Sequence, residues 1–457
     1  MEPRPNGQLL VLSNRIPKGD VPAGGLVYAL HEALTGAGGT WIGTADPSHS
    51  AEPVLSPIGS GDYDRMTFPV TGTEYDGFYL GYANGVLWPL FHHRADLLDI
   101  QEGHFDAYAA VNRRAARVIA DRIGPEDTIW IHDYHFLMVA SELRKLGVEN
   151  RIGLFLHIPF PNVTDIMALP EASMLAGWLA AHDLVGLQTE RDVAAANDIV
   201  AQDGQAQHLN DGTWVRDGRV FNVEAFPIGI DAKGFAETAA RVPAPDLLLR
   251  PGAPLLIGVD RLDYSKGLVH RFEAFGEFLE RRADQTIRPT FLQIAPGSRE
   301  DVSAYQDIRE ELERAAGSIN GEHASLDWTP IRYIRHHIDR DTIAALYRKA
   351  DVALVTPLAD GMNLVAKEFV AAQDPEDPGV LILSHFAGAS EQMDSALMVN
   401  PFDAGSFAQA IEQALTMPLA ERQARHASLR DSVFEQDVAW WTDRYLKRLR
   451  GGSMVPV

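Results

Sequence analysis

The 457-residue chain contains no cysteine, which excludes disulfide bonds, thiolate metal sites and a cysteine nucleophile. It also lacks any run of 18 consecutive apolar residues, so we predict no membrane-spanning helix. The first ten residues lack the apolar core of a secretory signal. We therefore expect a cytoplasmic protein.

Positive charge is scarce. The 40 lysines and arginines are outnumbered by 63 aspartates and glutamates, which leaves a formal net charge of −23. A field of this sign opposes binding to nucleic acid and to anionic membranes, and we predict neither as a partner. A small cationic pocket for a phosphate group remains compatible with it. The 46% hydrophobic and 23% charged residues are ordinary for a globular protein.

Short apolar runs alternate with segments of helical periodicity, which predicts parallel sheets built from βαβ units. The predicted strands cover residues 8–12, 128–132, 152–157, 184–188, 220–226, 255–259, 290–294, 352–356 and 380–384. The predicted helices include one through Leu26, Leu30 and Leu34, one from Leu268, and those over 136–146, 192–201 and 364–372.

The alternation of strands and helices begins again after residues 227–231, and a stretch rich in proline and alanine follows at 242–254. We therefore predict an α/β protein with two doubly wound, Rossmann-like domains that face a central cleft. The domains would cover residues 1–230 and 231–437, with a C-terminal helix at about 438–457 packing back on the first. Ligands bind at the carboxyl ends of such strands, so the residues just after strands are the informative ones.

The segment from Arg261 to Gly267, RLDYSKG, follows a predicted strand and leads into a helix. Arg261 and Lys266 could bind adjacent phosphates there, because a helix N-terminus also favours anions. A surface turn with two solvated charges is the alternative.

The segment from Asp360 to Glu368, DGMNLVAKE, also leads from a strand into a helix. Backbone N–H groups at the helix start can hold a diphosphate, and Glu368, one turn along, can accept hydrogen bonds from a ribose. Asp360 could bind sugar hydroxyls. An ordinary Asp-Gly turn with a helix cap would explain the pattern equally well.

The first half offers weaker signals after its strands. Gly24 and Gly25 could let backbone approach a phosphate, although a plain turn explains them as well and no G-x-G-x-x-G fingerprint is present. Asp133 and His157 follow neighbouring strands. In WIHDYH, His132 and His135 suggest a metal site only weakly, because residues at a strand end alternate between faces.

These stretches together resemble the trehalose-6-phosphate synthases, a family of retaining glycosyltransferases with the GT-B fold. The resemblance rests on the following segments, in order: 13–15 (SNR), 24–26 (GGL), 84–89 (NGVLWP), 130–135 (WIHDYH), 155–161 (FLHIPFP), 261–267 (RLDYSKG) and 360–368 (DGMNLVAKE). It implies transfer of glucose, with retention, from a nucleoside-diphosphate glucose, first of all UDP-glucose, to glucose 6-phosphate. The products would be trehalose 6-phosphate and a nucleoside diphosphate. A homo-oligomer is expected.

The resemblance also implies roles for individual residues. The catalytic set would be His157 at the glucose 6-hydroxyl, Arg261 and Lys266 at the diphosphate, and Asp360 at other glucose hydroxyls. The other donor contacts would be Gly24, Gly25, Ile338, Met362, Asn363, Leu364, Val365 and Glu368. The acceptor contacts would be Arg15, Tyr79, Trp88, Asp133 and Arg299. The acceptor would attack from the face that the diphosphate leaves, with no cofactor and no metal, since Arg261 and Lys266 supply the positive charge.

Two departures from the family pattern lie near the acceptor side: Thr44 stands where many members carry tryptophan, and the 15–24 loop is short. A related transferase with another nucleotide-sugar or another phosphorylated acceptor is therefore the alternative. A non-catalytic sugar-phosphate sensor would have lost matched residues, and none is lost. The missing glycine fingerprint disfavours a NAD-dependent oxidoreductase.

Overall fold

The computed structural model describes residues 7–17, 27, 30–31, 33–35, 38–247, 252–281, 287–297 and 303–451. The chain divides into two compact units. Unit 1 comprises Met1–Pro227 and Ala439–Val457, and unit 2 comprises Ile228–Val438. Within the described ranges, no helix has the length and apolar character that a membrane crossing requires.

The described part of unit 1 is built on a ten-stranded sheet. Its strands are β1 (Leu9–Leu12), β2 (Gly39–Thr44), β3 (Ser56–Gly59), β4 (Asp64–Phe68), β5 (Thr128–His132), β6 (Arg151–Phe155), β7 (Leu184–Leu187), β8 (Ala206–His208), β9 (Trp214–Arg216) and β10 (Arg219–Ala225). They lie in the order β3-β4-β2-β1-β5-β6-β7-β10-β9-β8. The run from β4 to β10 is parallel, and β3, β9 and β8 add antiparallel edges.

The strand order in unit 1 reverses between β1 and β5, which pair directly with each other. From this pair the chain builds outward in opposite directions, so a ligand site is expected at their carboxyl ends. Every residue of β1 and β5 is buried, as in strands covered on both faces. Between residues 38 and 227, the α-helices of unit 1 are α1 (Gly72–Tyr75), α2 (Trp88–Phe91), α3 (His104–Ala120), α4 (Val139–Lys145), α5 (Val163–Ile166), α6 (Leu175–Ala180) and α7 (Glu190–Ala201).

Unit 2 has a six-stranded parallel sheet among its described residues. Its strands are β11 (Leu255–Val259), β12 (Thr290–Ile294), β13 (Ile331–Ile334), β14 (Val352–Val355), β15 (Val380–Ser384) and β16 (Leu397–Val399), in the order β13-β12-β11-β14-β15-β16. The reversal lies between β11 and β14, so the loops after these two strands face a common ligand position. The helices are α8 (Ala232–Arg241), α9 (Leu268–Arg281), α10 (Ser303–His323), α11 (Arg340–Lys349), α12 (Leu364–Ala372), α13 (Ala404–Thr416) and α14 (Leu419–Glu435).

The last helix, α15 (Val438–Leu449), packs against the sheet of unit 1. The Tyr445 hydroxyl donates to the carbonyl of Leu154 at 2.8 Å, and its ring stacks on Trp130 at 4.8 Å between centroids. A Cβ at Gly153 or Gly186 would lie within 2.5 Å of the tyrosine side chain. These two glycines in β6 and β7 therefore make the space that the helix fills.

Strand bounds over 128–132, 255–259, 290–294 and 380–384 match the prediction, whereas other elements differ. The helix predicted over 136–146 begins at Val139, after a 3₁₀ turn at Tyr134–Phe136. There the Tyr108 hydroxyl accepts from the Leu137 N–H and the Asn112 side chain accepts from the Met138 N–H, so side chains replace the first helical bonds. Of the predicted first helix, Leu26 lies outside the described residues, while Leu30 and Leu34 are helical and buried.

Candidate active site

The loop after β11 is held in shape by a buried aspartate. Asp263 is fully buried; its Oδ1 accepts from the backbone N–H of Ser265 at 3.0 Å and from the Ser265 hydroxyl at 2.9 Å. Its Oδ2 accepts from the Tyr305 hydroxyl at 3.0 Å. With all these bonds satisfied, the loop is rigid and presents Lys266 at its end, while Arg261 at its start is exposed.

Lys266 meets Asp360, which follows β14. Its Nζ lies 2.5 Å from Asp360 Oδ2, and the two side chains are only 11% and 12% exposed. The same Oδ2 accepts from Asn363 Nδ2 at 2.9 Å. Next to the lysine, Gly267 has φ 65°, and a Cβ there would lie 2.4 Å from the carbonyl oxygen of Thr356. The structure thus joins a cation and a carboxylate that the sequence placed in separate roles.

A buried cation underlies this pair. Arg271 in α9 is fully buried and donates to Thr356 Oγ1, Gln293 Oε1, Asp260 Oδ2 and the Lys266 carbonyl. Burial raises the pKa of Asp260, and the charges of Arg271 and Lys266 act in the opposite direction. Sequence reasoning missed Arg271, although a charged residue within the apolar face of a helix was the signal that could have found it.

The turn before α12 exposes the start of that helix. Asn363 has a positive φ of 74° and makes no capping bond, because its side-chain amide binds Asp360 instead. Met362 is buried, and its carbonyl accepts from the Ala389 N–H at 2.8 Å. N–H groups in the first helical turn have no intrahelical acceptor, so those of Leu364 and Val365 suit an anion.

Glu368 lies one turn further along α12 and is half-buried. Burial raises its pKa to about 7, and the charge of Arg340 acts in the opposite direction. The preceding residue, Lys367, is buried and donates to the Ile228 carbonyl at 2.7 Å and to Gln392 Oε1 at 2.8 Å. Burial lowers the pKa of this lysine to about 7.

In unit 1, Arg15 follows β1 and contacts Tyr79. Its Nη2 donates to the Tyr79 hydroxyl at 2.9 Å, and its guanidinium lies 5.5 Å from the centre of that ring. Tyr79 stacks on His135 on one side, with centroids 5.8 Å apart, and on Tyr75 at 5.0 Å. The arginine itself is exposed, so a rigid aromatic stack holds a cation that solvent can reach.

Tyr79 belongs to a π-helix, Asp76–Leu87, which leads directly into Trp88. Within it, the side-chain amide of Asn84 donates to the Tyr79 carbonyl at 2.7 Å and accepts from the Tyr134 hydroxyl at 2.9 Å. Trp88 packs on the Tyr134 ring at 5.8 Å. The NGVLWP segment is therefore tied to the WIHDYH segment, and π-helical turns of this kind are frequent at functional sites.

Asp133 and His157 follow β5 and β6. Asp133 has φ 69°, a costly backbone conformation that concentrates at functional sites, and its Oδ1 accepts from the His157 N–H at 3.3 Å. The strand predicted over 152–157 ends at Phe155. Beyond it, the His157 N–H donates to the Asp133 side chain rather than to the backbone of a neighbouring strand.

Thr44, the departure from the family pattern, has a structural role. Its hydroxyl donates to the backbone carbonyl of Asn14 at 2.8 Å and also lies 3.2 Å from the Asn14 side-chain oxygen. The residue therefore holds the segment that presents Arg15.

The predicted contacts Gly24, Gly25 and Arg299 lie outside the described residues. Ile338 is half-buried just before α11, where Asp339 caps the helix. Within the described ranges, Glu280, Glu322 and His323 are close enough together to share a metal ion. None of the three belongs to the candidate site.

The chain is similar to known proteins over nearly its full length. The family model of glycosyltransferase family 20 matches residues 13–451. A trehalose-6-phosphate synthase from Cronobacter sakazakii is 44% identical over 451 residues, which cover 97% of this chain and 95% of that protein.

Two solved structures are similar in fold and sequence. The E. coli trehalose-6-phosphate protein bound with UDP-2-fluoro glucose has a TM-score of 0.93 and 43% identity, over 99% of this chain and 100% of the other. An α,α-trehalose-phosphate synthase (UDP-forming) from Burkholderia xenovorans, in complex with glucose 6-phosphate, has a TM-score of 0.91 and 44% identity, over 97% of this chain and 100% of the other. The prediction of a GT-B fold with two Rossmann-like domains is confirmed. The chain belongs to glycosyltransferase family 20.

Proposed function

We infer that this chain is a retaining glycosyltransferase that moves glucose from a nucleoside-diphosphate glucose to glucose 6-phosphate and forms trehalose 6-phosphate. The observation that carries this inference is the position of Lys266 and Asp360, which meet at the strand reversal of unit 2 beside the open start of α12. A cation, N–H groups and a carboxylate are what a sugar diphosphate requires. Relatives with the same activity support it over nearly the full length.

UDP-glucose is the donor that we propose, because the E. coli relative is described with a UDP-glucose analogue bound. Arg261 and Lys266 would hold the diphosphate together with the Leu364 and Val365 N–H groups. Met362, Asn363 and Asp360 would contact the sugar side, and His157 its 6-hydroxyl. Glu368 would bind the ribose and Ile338 the base, and Gly24 and Gly25 would approach the same donor.

Glucose 6-phosphate is the acceptor that we propose, because the Burkholderia xenovorans relative is described in complex with it. Arg15 of unit 1 would bind the phosphate of this acceptor, and we propose that Arg299 binds the same phosphate. Tyr79, Trp88 and Asp133 would contact the sugar. Asp133 is suited to accept from hydroxyls, because its carboxylate directly follows β5, at the carboxyl end of a parallel strand where ligands of such sheets bind.

Retention by a covalent intermediate would require a carboxylate nucleophile. Asp360 is poorly suited to this role, because its Oδ2 already accepts from Lys266 and Asn363. We therefore propose front-face attack: the acceptor hydroxyl forms the new bond on the side from which the diphosphate leaves and gives its proton to that phosphate. The protein contributes by positioning both sugars and by stabilising the charge of the leaving group.

The function is tested by incubating the full chain with UDP-glucose and glucose 6-phosphate and identifying the product. We expect α,α-linked trehalose 6-phosphate and equimolar UDP, with activity unchanged by a chelator, because Arg261 and Lys266 supply the positive charge. A panel of other nucleotide-sugars and phosphorylated acceptors serves as the control. Product formation from a different pair alone would favour the related transferase, and loss of all activity on chelation would contradict the metal-independent mechanism.

The pKa of Glu368, about 7, predicts that donor binding depends on pH. The carboxylate accepts from the ribose hydroxyls, and protonation below pH 7 weakens these bonds because a neutral carboxyl is a poorer acceptor than a charged one. We expect the affinity for UDP-glucose to rise by up to about tenfold from pH 6 to pH 8, measured by calorimetry without acceptor. In Glu368→Gln the affinity should be low and flat across this range. A pH dependence that survives in Glu368→Gln would assign the titration elsewhere, with Lys367 the nearest candidate.

The cytoplasmic location and the homo-oligomeric state stay predictions. Size-exclusion chromatography with light scattering tests the second of them directly.

A further inference from the structure

Two histidines of unit 1 are in contact at the carboxyl ends of β5 and β6. His132 is the last residue of β5, and its Nδ1 lies 3.1 Å from Nε2 of His157. The two rings are nearly parallel, at 23°, with centroids 5.4 Å apart. A nitrogen-to-nitrogen distance of this size requires one hydrogen between the two atoms, so one ring donates and the other accepts.

Both rings are neutral at physiological pH. Burial lowers the pKa of His157 to about 3, and burial is also the main cause that lowers the pKa of His132 well below its usual value. A neutral imidazole carries its hydrogen on one nitrogen alone. The hydrogen bond between the rings therefore couples the two tautomers.

The surroundings of His132 decide the direction of this bond. The residue is fully buried, and its ring packs on Trp130 at 4.4 Å and on Trp441 of α15 at 6.4 Å. Its Nε2 has no hydrogen-bond partner among the described residues. Buried donors without an acceptor are rarer in proteins than buried acceptors without a donor. The hydrogen of His132 is therefore placed on Nδ1, from which it donates to His157.

Consecutive residues hold His157 from two sides. Asp133 accepts from its backbone N–H, and His132 binds its ring. Trp441 packs on the His157 ring as well, at 6.1 Å, so the returning C-terminal helix supports both histidines. Unlike His132, His157 is only half-buried. The ring of His132 is thus enclosed by aromatic side chains, whereas part of His157 remains accessible.

We propose that His132 is a positioning residue that fixes the ring of His157 and keeps the hydrogen of that ring on Nδ1. With its Nε2 occupied by His132, His157 then presents an N–H donor to an oxygen atom of the donor sugar. This proposal rests on the proposed function, in which His157 binds the 6-hydroxyl of the glucose that is transferred.

The kinetic test compares UDP-glucose with its 6-deoxy analogue, which lacks the hydroxyl in question. We expect His132→Phe to lower kcat/KM for UDP-glucose by about 10- to 100-fold, whereas the variant and the parent should agree within about threefold on the 6-deoxy donor. His132→Asn should recover most of the loss, because its amide can place an N–H close to the former Nδ1 position. An equal loss on both donors would overturn the proposal, since it would indicate general damage to the site.

His182 provides the matched control. It is a buried histidine of the same unit, its Nδ1 lies 3.0 Å from the Trp178 carbonyl, and its Nε2 has no partner in the described part of the chain. We expect the ratio of kcat/KM for UDP-glucose to kcat/KM for the 6-deoxy donor to be the same in His182→Phe as in the parent, even if the variant is less stable.

A second readout does not depend on turnover. In the full chain labelled with ¹⁵N-histidine, the ring signals of His157 are assigned from their loss in His157→Gln. We expect a hydrogen on Nδ1 in the parent and a mixture of tautomers in His132→Phe. A hydrogen on Nε2 of His157 in the parent, or an unchanged spectrum in His132→Phe, would overturn the proposal. Failure of the proposed function would instead show as a parent chain that forms no trehalose 6-phosphate.

Discussion

Replacing Lys266 with alanine is expected to lower kcat by about 100- to 1,000-fold, the usual cost of removing one group that stabilises developing negative charge. The lysine is nearly buried and positioned by a rigid loop, so its charge acts at short range in a site with little water. Charge on the departing diphosphate grows toward the transition state, so kcat should fall more than affinity for the acceptor. Steady-state kinetics with each substrate varied in turn measures both.

Two further variants separate this role from the ion pair with Asp360. Lys349→Ala removes an exposed lysine at the end of α11 in the same unit and should leave kcat within about twofold of the parent, since a solvated surface charge contributes little. The double variant Lys266→Ala with Asp360→Asn removes the carboxylate that the single change leaves without its cation. If the double variant regained near-normal turnover, the loss would come from the unpaired carboxylate and the leaving-group role would be wrong.

Replacing Arg271 with methionine is expected to destabilise unit 2 by about 3–5 kcal/mol, because it leaves Asp260 buried without its main counter-charge. The donor KM should rise as well, since Arg271 also binds the carbonyl of Lys266. The destabilisation should increase from pH 4 to pH 8. Without Arg271, burial raises the pKa of Asp260 further, so the folded variant holds this proton at pH values where the unfolded chain has released it. The unfolded state then binds fewer protons, and stability falls as pH rises.

Urea unfolding at several pH values measures the stability of the Arg271 variant and its dependence on pH. Adding Asp260→Asn to the Arg271 variant removes the buried ionisable carboxyl, and we expect it to regain roughly 2 kcal/mol and to abolish the pH dependence. Arg348→Met breaks the 2.8 Å pair with Asp374, whose side chains are 32% and 46% exposed, and should cost under about 1 kcal/mol. Equal losses in the Arg271 and Arg348 variants would contradict the account of a buried charge.

The hydrophobic pattern of the sequence predicted some strands and helices better than others. Strands such as β5 and β11 are short apolar runs between turns, and the sequence predicted their bounds. The π-helix over residues 76–87 was not predicted from the sequence. Ten of its twelve residues are buried, so it lacks the polar face whose periodicity would indicate a helix. Strand β2 was also not predicted, because glycine, which is rare in strands, occupies two of its six positions.

The sequence by itself determined the chemical groups of the site and their place after strands, because RLDYSKG and DGMNLVAKE each combine strand-end position with residues suited to phosphate and sugar. Only the tertiary structure decided which of these groups touch. Lys266 and Asp360 are 94 positions apart and meet because β11 and β14 are neighbours where the strand order reverses. Arg271 beneath them and His132 behind His157 depend on packing among distant elements, which no local pattern encodes.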